Sequence, residues 1–541
     1  MFETCREKVA FARVMCAGEC CQVGLGDFAV GWLRPADYER HHHNPSDYTA
    51  AYPRGLTFSQ NGRSSGEEGS LMNTDSENLL RVLGRGDVLA VAFGAMIGFG
   101  WVVLTGDFLR DAGSFGAALA FVIGGIVMTL VGLTYAELVS AMPRAGGEHN
   151  YVMRGLGARP AFVASWTLVL AYISVVAFEA VALPETVGYL IPNLKAGKLW
   201  AVAGFDVYAT WVAVGVVGAL VITAINYVGV RAASLLQTVA VLFLLGVGAV
   251  LLLGSFVGGA IADLQPLFSG GTAGLIGVLV ATPFLFVGFD VIPQSAEEIN
   301  LPFAKVGKLL VISVVLAAAW YIMIMLTVGS ALPRGQLAEA ELASAAGMAA
   351  LWNSQTMGNI LVLGGIGGIL TSWNGFLIGG SRLLYAMAAS GMLPRWFAKV
   401  HPRYRTPSNA VLFIGGLSVL APLFGEQMLT WLVDTAGLSL VVAYFLVPIS
   451  FLVLRRHAPQ MNRPFRVRQG GTIGTLAALL SLAMAVLFLP TMPAALIWPY
   501  EWVVIGLWWL AGIVFLIRLP SVPPGPDTEE RLLAATGRSS Q

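Results

Sequence analysis

The chain is short of charge. Asp, Glu, Lys and Arg make up only 12% of its 541 residues, while 56% are hydrophobic; soluble domains carry about a quarter charged residues. So few charges could not cover a water-facing surface at this length, and lipid must take over part of that role. The formal net charge is +1 and no basic run occurs, so the composition gives no footprint for nucleic acid. Cysteine is missing after Cys21, and Cys5, Cys16, Cys20 and Cys21 are the only four, so disulfides cannot staple the rest of the chain. Beyond the run His41–His43, the histidines are His149, His401 and His457. All three fall between apolar blocks, so no block offers a histidine ligand to haem or to a catalytic metal. No GxxxxGK[ST] phosphate loop is present, which leaves ATP-driven pumping without support.

What the chain has instead is apolar blocks of membrane length. A helix needs about 20 apolar residues to cross the hydrocarbon core. Such blocks recur at 87–110, 114–141, 161–191, 206–228, 232–259, 272–294, 307–332, 357–388, 408–425, 427–454, 472–491 and 496–517. They show no strand-like alternation, so a barrel is not expected. The reading is an all-α integral membrane protein with about 12 transmembrane helices. Lys and Arg set its orientation. If the N-terminus is cytoplasmic, the inside loops collect Arg81, Arg85, Arg144, Arg154, Arg159, Arg231 and a further series up to Arg518. The outside loops then carry only Arg110, Lys195, Lys198 and Arg334. The expectation is a multi-pass protein of the plasma or inner membrane with both termini in the cytoplasm.

The ends differ from the middle. Residues 1–80 hold no membrane-length block and read as a disordered cytoplasmic tail, rich in Ser, Gly, Asn and Glu from 59 to 77. Its Cys and His residues do not form a paired Cys-x-x-Cys zinc pattern, and Met72 stands as an alternative start. The expected division is a membrane-spanning helical core over 81–455, two further helices over 456–518, and a short exposed cytoplasmic tail over 519–541, beginning around Pro520 and Pro523.

Two blocks are irregular at membrane mid-depth. The first reads Gly94-Ala95-Met96-Ile97-Gly98-Phe99-Gly100, and each interior glycine costs a helix about 1 kcal/mol relative to alanine. The sixth reads Thr282-Pro283-Phe284-Leu285-Phe286-Val287-Gly288-Phe289-Asp290-Val291-Ile292-Pro293, where proline removes a backbone donor and kinks the helix. Unwound backbone in a bilayer persists only where protein or a water-filled cavity covers it. A broken helix exposes N–H groups on one half and C=O groups on the other, which suit the carboxylate and the ammonium of an amino acid. Close packing through small residues is the competing reading of the glycines. Irregular first and sixth helices are what two related five-helix halves would produce.

Four sequence stretches together resemble the amino acid–polyamine–organocation transporter superfamily, over roughly 82–518. They are Gly94–Gly100; Tyr135-Ala136-Glu137-Leu138 with Pro143-Arg144-Ala145-Gly146-Gly147-Glu148; Phe286-Val287-Gly288-Phe289-Asp290 with Glu297-Glu298-Ile299-Asn300-Leu301-Pro302; and Ser381–Met387 with Gly391–Pro394 and Thr406-Pro407. The resemblance implies a 5+5 inverted repeat with broken helices 1 and 6, two added C-terminal helices, and alternating access around a midplane site. It points to substrate contacts at Ala95, Met96, Ile97, Gly98, Phe99 and Gly100, and at Phe284, Phe286, Gly288 and Phe289, with Phe284 or Phe286 as an aromatic gate. Tyr172 joins these as an aromatic wall.

The acids Glu137, Glu179, Asp290 and Asp434 lie inside blocks, where a charge by default suggests function. Glu137 reads as structural, beside Arg144. Asp290 and Glu179 are candidates for a proton or amine site. Some relatives in the superfamily carry a helix-five lysine; here 232–262 holds no charged side chain. Thr371 and Ser372 could supply hydroxyl oxygens to sodium, or simply bond back to their own helix. The coupling ion stays open between Na+, H+ and none. No cofactor is expected, and the partners are the bilayer and a small amino acid or amine. The function expected is a permease moving amino acids by cation-coupled symport. An amine or polyamine transporter, an exchanger and a transporter-like sensor are the alternatives. The GxGD pattern Gly84–Asp87 would suit an intramembrane aspartyl protease, which needs a second aspartate beside it.

Overall fold

The computed structural model describes residues 79, 81–191, 193–492 and 495–538. The expectations for the N-terminal tail, its cysteines and its histidine run lie outside them. Among the described residues, ten helices are long and apolar enough to cross a membrane, and two shorter apolar helices, Ser408–Phe424 and Gly470–Val486, fall where the ninth and eleventh blocks were expected. The twelve are called spans one to twelve below. Single glycines reverse the chain where loops are shortest. Gly229, at φ +145°, is the only residue between span four (Ala209–Val228) and span five (Val230–Gly258), a conformation that costs a side-chain-bearing residue dearly.

The structure adds elements the sequence did not announce. The first block stops as a membrane helix at Val103, and a separate helix follows at Thr105–Ala112. A hairpin of Lys198–Val202 and Phe205–Tyr208 precedes span four, and two short helices, Arg334–Glu339 and Ala343–Leu351, link spans seven and eight.

The helices pack in a repeating scheme. Span two lies along span seven, span three along span eight, and span four on span nine. Span one packs on span five as span six packs on span ten; span five lies against span eight as span ten lies against span three. Adding five to each number leaves the scheme unchanged. Five is odd, so the second set crosses in the opposite sense, which is the inverted repeat the sequence suggested. Span twelve, Tyr500–Arg518, sits at the rim with Leu507, Leu510 and Ile517 exposed. Span five shows Leu235, Val239 and Leu242 in the same way. A bilayer would cover such faces.

Buried ion pairs tie the helix ends together. Arg382, at the end of span eight, grips Glu298 with two nitrogens at 2.8 and 3.1 Å, both side chains fully buried. Glu137 does not meet Arg144; it takes Arg455 at 2.5 Å and Arg463 at 3.0 Å, with the Val467 N–H donating to it at 2.8 Å. Arg144 instead pairs with Glu529. This corrects the reading of the C-terminal segment as exposed: Thr528–Ala535 is a helix, and Leu532 and Leu533 are buried. Its apolar side chains found a partner surface beside Gly391, which composition alone could not reveal.

Candidate functional site

Span one is helical to Met96, unwound at Ile97–Phe99 and helical again from Gly100. Span six is helical to Phe286, unwound at Val287–Asp290 and helical again from Val291. The first break is narrower than the glycine run. Gly94 stays helical because it lets span five approach: a Cβ there would stand 2.5 Å from Val241 and 2.6 Å from Gln237. Gly288 holds φ +132° and packs onto the other break, where a Cβ would lie 2.8 Å from Ala95 and 2.9 Å from the Met96 nitrogen. The two irregular segments therefore touch.

Some of the freed backbone groups are capped. The Tyr321 hydroxyl, from span seven, lies 2.8 Å from the Met96 carbonyl and 3.2 Å from that of Leu285. The Thr371 hydroxyl reaches the Gly94 carbonyl at 2.9 Å. Others are left open. Among the described residues the N–H groups of Gly98 and Phe99 find no acceptor, and no donor reaches the carbonyls of Phe284 and Phe286. Open donors on one break thus stand near open acceptors on the other, the pair of groups that the carboxylate and the ammonium of a zwitterion would need.

The side chains around the breaks divide. Glu179 and Ser372 face Gly98: a Cβ on that glycine would meet Ser372 Oγ at 2.9 Å and Glu179 Oε1 at 3.2 Å. Glu179 is buried, and its Oε2 has no partner among the described residues. Phe284 meets Phe178 edge-on, ring centres 5.7 Å apart. Phe286 turns away, between Phe121 and Tyr321. Phe99 leans toward Gly365 of span eight. Phe289 and Asp290 point to a separate cluster, where Phe289 stacks on Tyr444 and Asp290 accepts from the Tyr172 hydroxyl at 2.7 Å and the Gly288 N–H at 2.8 Å. Ala95, Met96, Ile97 and Gly100 are all buried; Ala95 and Met96 meet Gly288 and Gly100 faces Leu285 of span six, while Ile97 lies by Gly368 of span eight. The predicted residues thus form two neighbouring groups, one around Gly98 and one around Asp290. Asp87 is a helix cap, bonded by the Gly84 N–H and the Ser234 hydroxyl.

The family model described as amino acid permease matches residues 83–535, which takes in every span and both breaks. The chain belongs to the amino acid permease family. This permease is 27% identical to the branched-chain amino acid permease BcaP of Bacillus subtilis (strain 168), over 75% of its own length and 88% of that protein's. It is 31% identical to cationic amino acid transporter 4 of Mus musculus, over 72% of its own length and 61% of the relative's. It is 26% identical to an aspartate-proton symporter of Bacillus subtilis (strain 168), over 72% and 76% respectively.

Sequence reasoning missed one polar group in the permease. Gln237 of span five donates to the Ala90 carbonyl at 3.1 Å and accepts from Asn374 of span eight at 2.7 Å; Asn226 of span four donates to Asn374 at 2.8 Å. The signal was present: these are amides inside apolar blocks. A buried amide is costly unless bonded, and this ladder bonds its members across four spans. Tyr321 gave no such signal, since a tyrosine in an apolar block reads as core.

Proposed function

We propose that this permease carries amino acids across the membrane by proton-driven symport. The open N–H groups of Gly98 and Phe99 take the α-carboxylate, and the open carbonyls of Phe284 and Phe286 take the ammonium. Those opposed open groups, on two touching breaks, are the observation that carries the reading. The apolar Ile97 and the aromatic Phe99, Phe178 and Phe284 favour an apolar side chain. A cationic substrate is the second reading, favoured by Glu179, whose Oε1 stands beside Gly98 and whose Oε2 has no partner among the described residues. The branched-chain and cationic specificities named for the two relatives fit the same two choices.

Proton rather than sodium coupling is supported by what already holds the oxygens. The Gly94 and Gly368 carbonyls already accept from the Thr371 hydroxyl, and the Ala90 carbonyl accepts from the Gln237 amide. Sodium needs several free oxygens. Asp290 is the proposed proton carrier. Its carboxylate holds the Gly288 N–H in place, and protonation replaces a charge-assisted bond with a weaker one. Loading Asp290 therefore loosens span six at its break, which couples the proton to movement of the gate. We infer from the loop charges that both termini face the cytoplasm.

A thermal-shift screen of leucine, phenylalanine, arginine and lysine, with and without sodium and at two pH values, tests this, because a bound ligand raises the midpoint by mass action. A shift with an amino acid that is stronger at the lower pH and indifferent to sodium supports the reading. A shift that requires sodium contradicts it.

A further inference from the structure

A second acid lies behind Asp290. Glu148 follows the two-glycine turn after span two and is fully buried. Its loop is driven into the protein: Gly147 sits against Pro293, where a Cβ would stand 2.6 Å away, and the Gly146 N–H donates to the Gln294 carbonyl. Gln294, four residues past Asp290, donates through its side-chain amide to Glu148 Oε2. Glu148 Oε1 has no direct partner among the described residues. Between the acids stand two tyrosines with ring centres 6.0 Å apart. Tyr135 of span two faces the Glu148 carboxylate, and Tyr444 of span ten faces Asp290.

Unpaired buried polar groups are costly and rare. Here Glu148 Oε1 and the hydroxyls of Tyr135, Tyr151 and Tyr444 lack a partner of regular geometry, and the rings of Tyr151 and Tyr444 both pack on Tyr135, beside Glu148. Burial pushes the Glu148 carboxyl well above its usual range, and the charge of Asp290 adds to this. The nearest cation on the same loop, Arg144, is spent on Glu529, and burial drives neighbouring His149 down to about 3, so it stays neutral. Nothing on the loop offsets a second negative charge, so two acids with one proton is the stable arrangement.

We propose that Glu148 is the cytoplasmic partner of Asp290 in proton movement, and that the two acids hold one proton between them along the tyrosine pair. The proton leaves the Asp290 carboxyl and arrives at the Glu148 carboxylate, so the pair keeps one negative charge. Glu148 then releases it on the loop side. The loop that bears Glu148 also seats the inner half of span six, so release is tied to the position of the broken helix. This rests on the proton-symport reading above.

The test uses the full-length protein in proteoliposomes loaded with a pH-sensitive dye. A mixture of the standard amino acids is added, and internal acidification is recorded beside counterflow exchange of the same mixture, radiolabelled. In Glu148→Gln, exchange should persist while acidification falls on the order of 100-fold, the scale of a positioned proton-transfer group. Equal acidification in Glu148→Gln and the unmutated protein overturns this inference and leaves symport standing. No acidification in the unmutated protein overturns both. If Glu148→Gln does not fold, Tyr135→Phe carries the test: acidification should slow relative to exchange, and an unchanged ratio overturns the proposal.

Discussion

The hydroxyl of Tyr321 lies 2.8 Å from the carbonyl of Met96, the last helical residue before the break in span one. The same oxygen lies 3.2 Å from the Leu285 carbonyl beside the break in span six. One side chain from span seven thus caps the two interrupted helices, and it stacks on Phe121 with ring centres 4.8 Å apart. A carbonyl left bare here is out of reach of water. Tyr321→Phe should therefore lower stability by about 1–3 kcal/mol, the cost of orphaning a buried polar group. Thermal unfolding in detergent measures this, and an unchanged midpoint would show that the hydroxyl is not needed to hold the breaks.

Bulk at Gly98 should close the site. Gly98→Leu drives a side chain into Ser372 and Glu179, the walls of the proposed receptor. Ligand-induced stabilisation should vanish while the protein still elutes as a folded species from a sizing column. Retained affinity in that variant would move the substrate elsewhere.

Gly288 carries a different demand. Any Cβ there meets both a strained φ of +132° and the backbone of Met96. Gly288→Ala should cost a few kcal/mol through strain at a sparsely populated backbone conformation. Low yield and a depressed unfolding midpoint are expected; a normal midpoint would mean that span six relaxes freely at its break.

Asp290→Asn removes the charge that holds the Gly288 N–H and Tyr172. Amide and carboxyl are similar in size, so substrate exchange should continue. Accumulation against a gradient should lose its pH dependence, read as uptake rate over a pH series. A profile identical to that of the unmutated protein removes Asp290 as the carrier.

His149 gives a pH effect with a fixed sign. It is buried against Ser165 and Ser390, and burial holds it near 3 in the folded protein, below its ordinary 6.5. The unfolded chain binds a proton there first, so this group weakens folding as pH drops from about 6.5 toward 3. His149→Gln should flatten that part of a stability-against-pH curve. An equally steep fall in the variant would assign the acid sensitivity to other groups.

Both breaks were legible because each carried a composition that a straight helix tolerates poorly: glycines in span one, and proline, glycine and acid in span six. Their limits were not. Gly94 belongs to the same run yet remains helical, because what it serves is the approach of Val241 and Gln237, a tertiary fact. Phe284 and Phe286 looked equivalent as gates, but two residues along a helix point to different faces, and only packing assigns Phe284 to Phe178 and Phe286 to Phe121. Glu137 met Arg455 and Arg463 from more than three hundred positions away, where sequence proximity had suggested Arg144. The C-terminal helix was hidden for the same reason: the surface that buries Leu532 belongs to other parts of the chain.

The central claim is that bare peptide groups at the two breaks bind the amino acid. An experimental structure of the protein in lipid with a bound amino acid tests it most directly. The account predicts the carboxylate within hydrogen-bonding distance of the Gly98 and Phe99 nitrogens and the ammonium at the Phe284 and Phe286 oxygens. A ligand held by side chains away from both breaks, with spans one and six running as continuous helices, would contradict it.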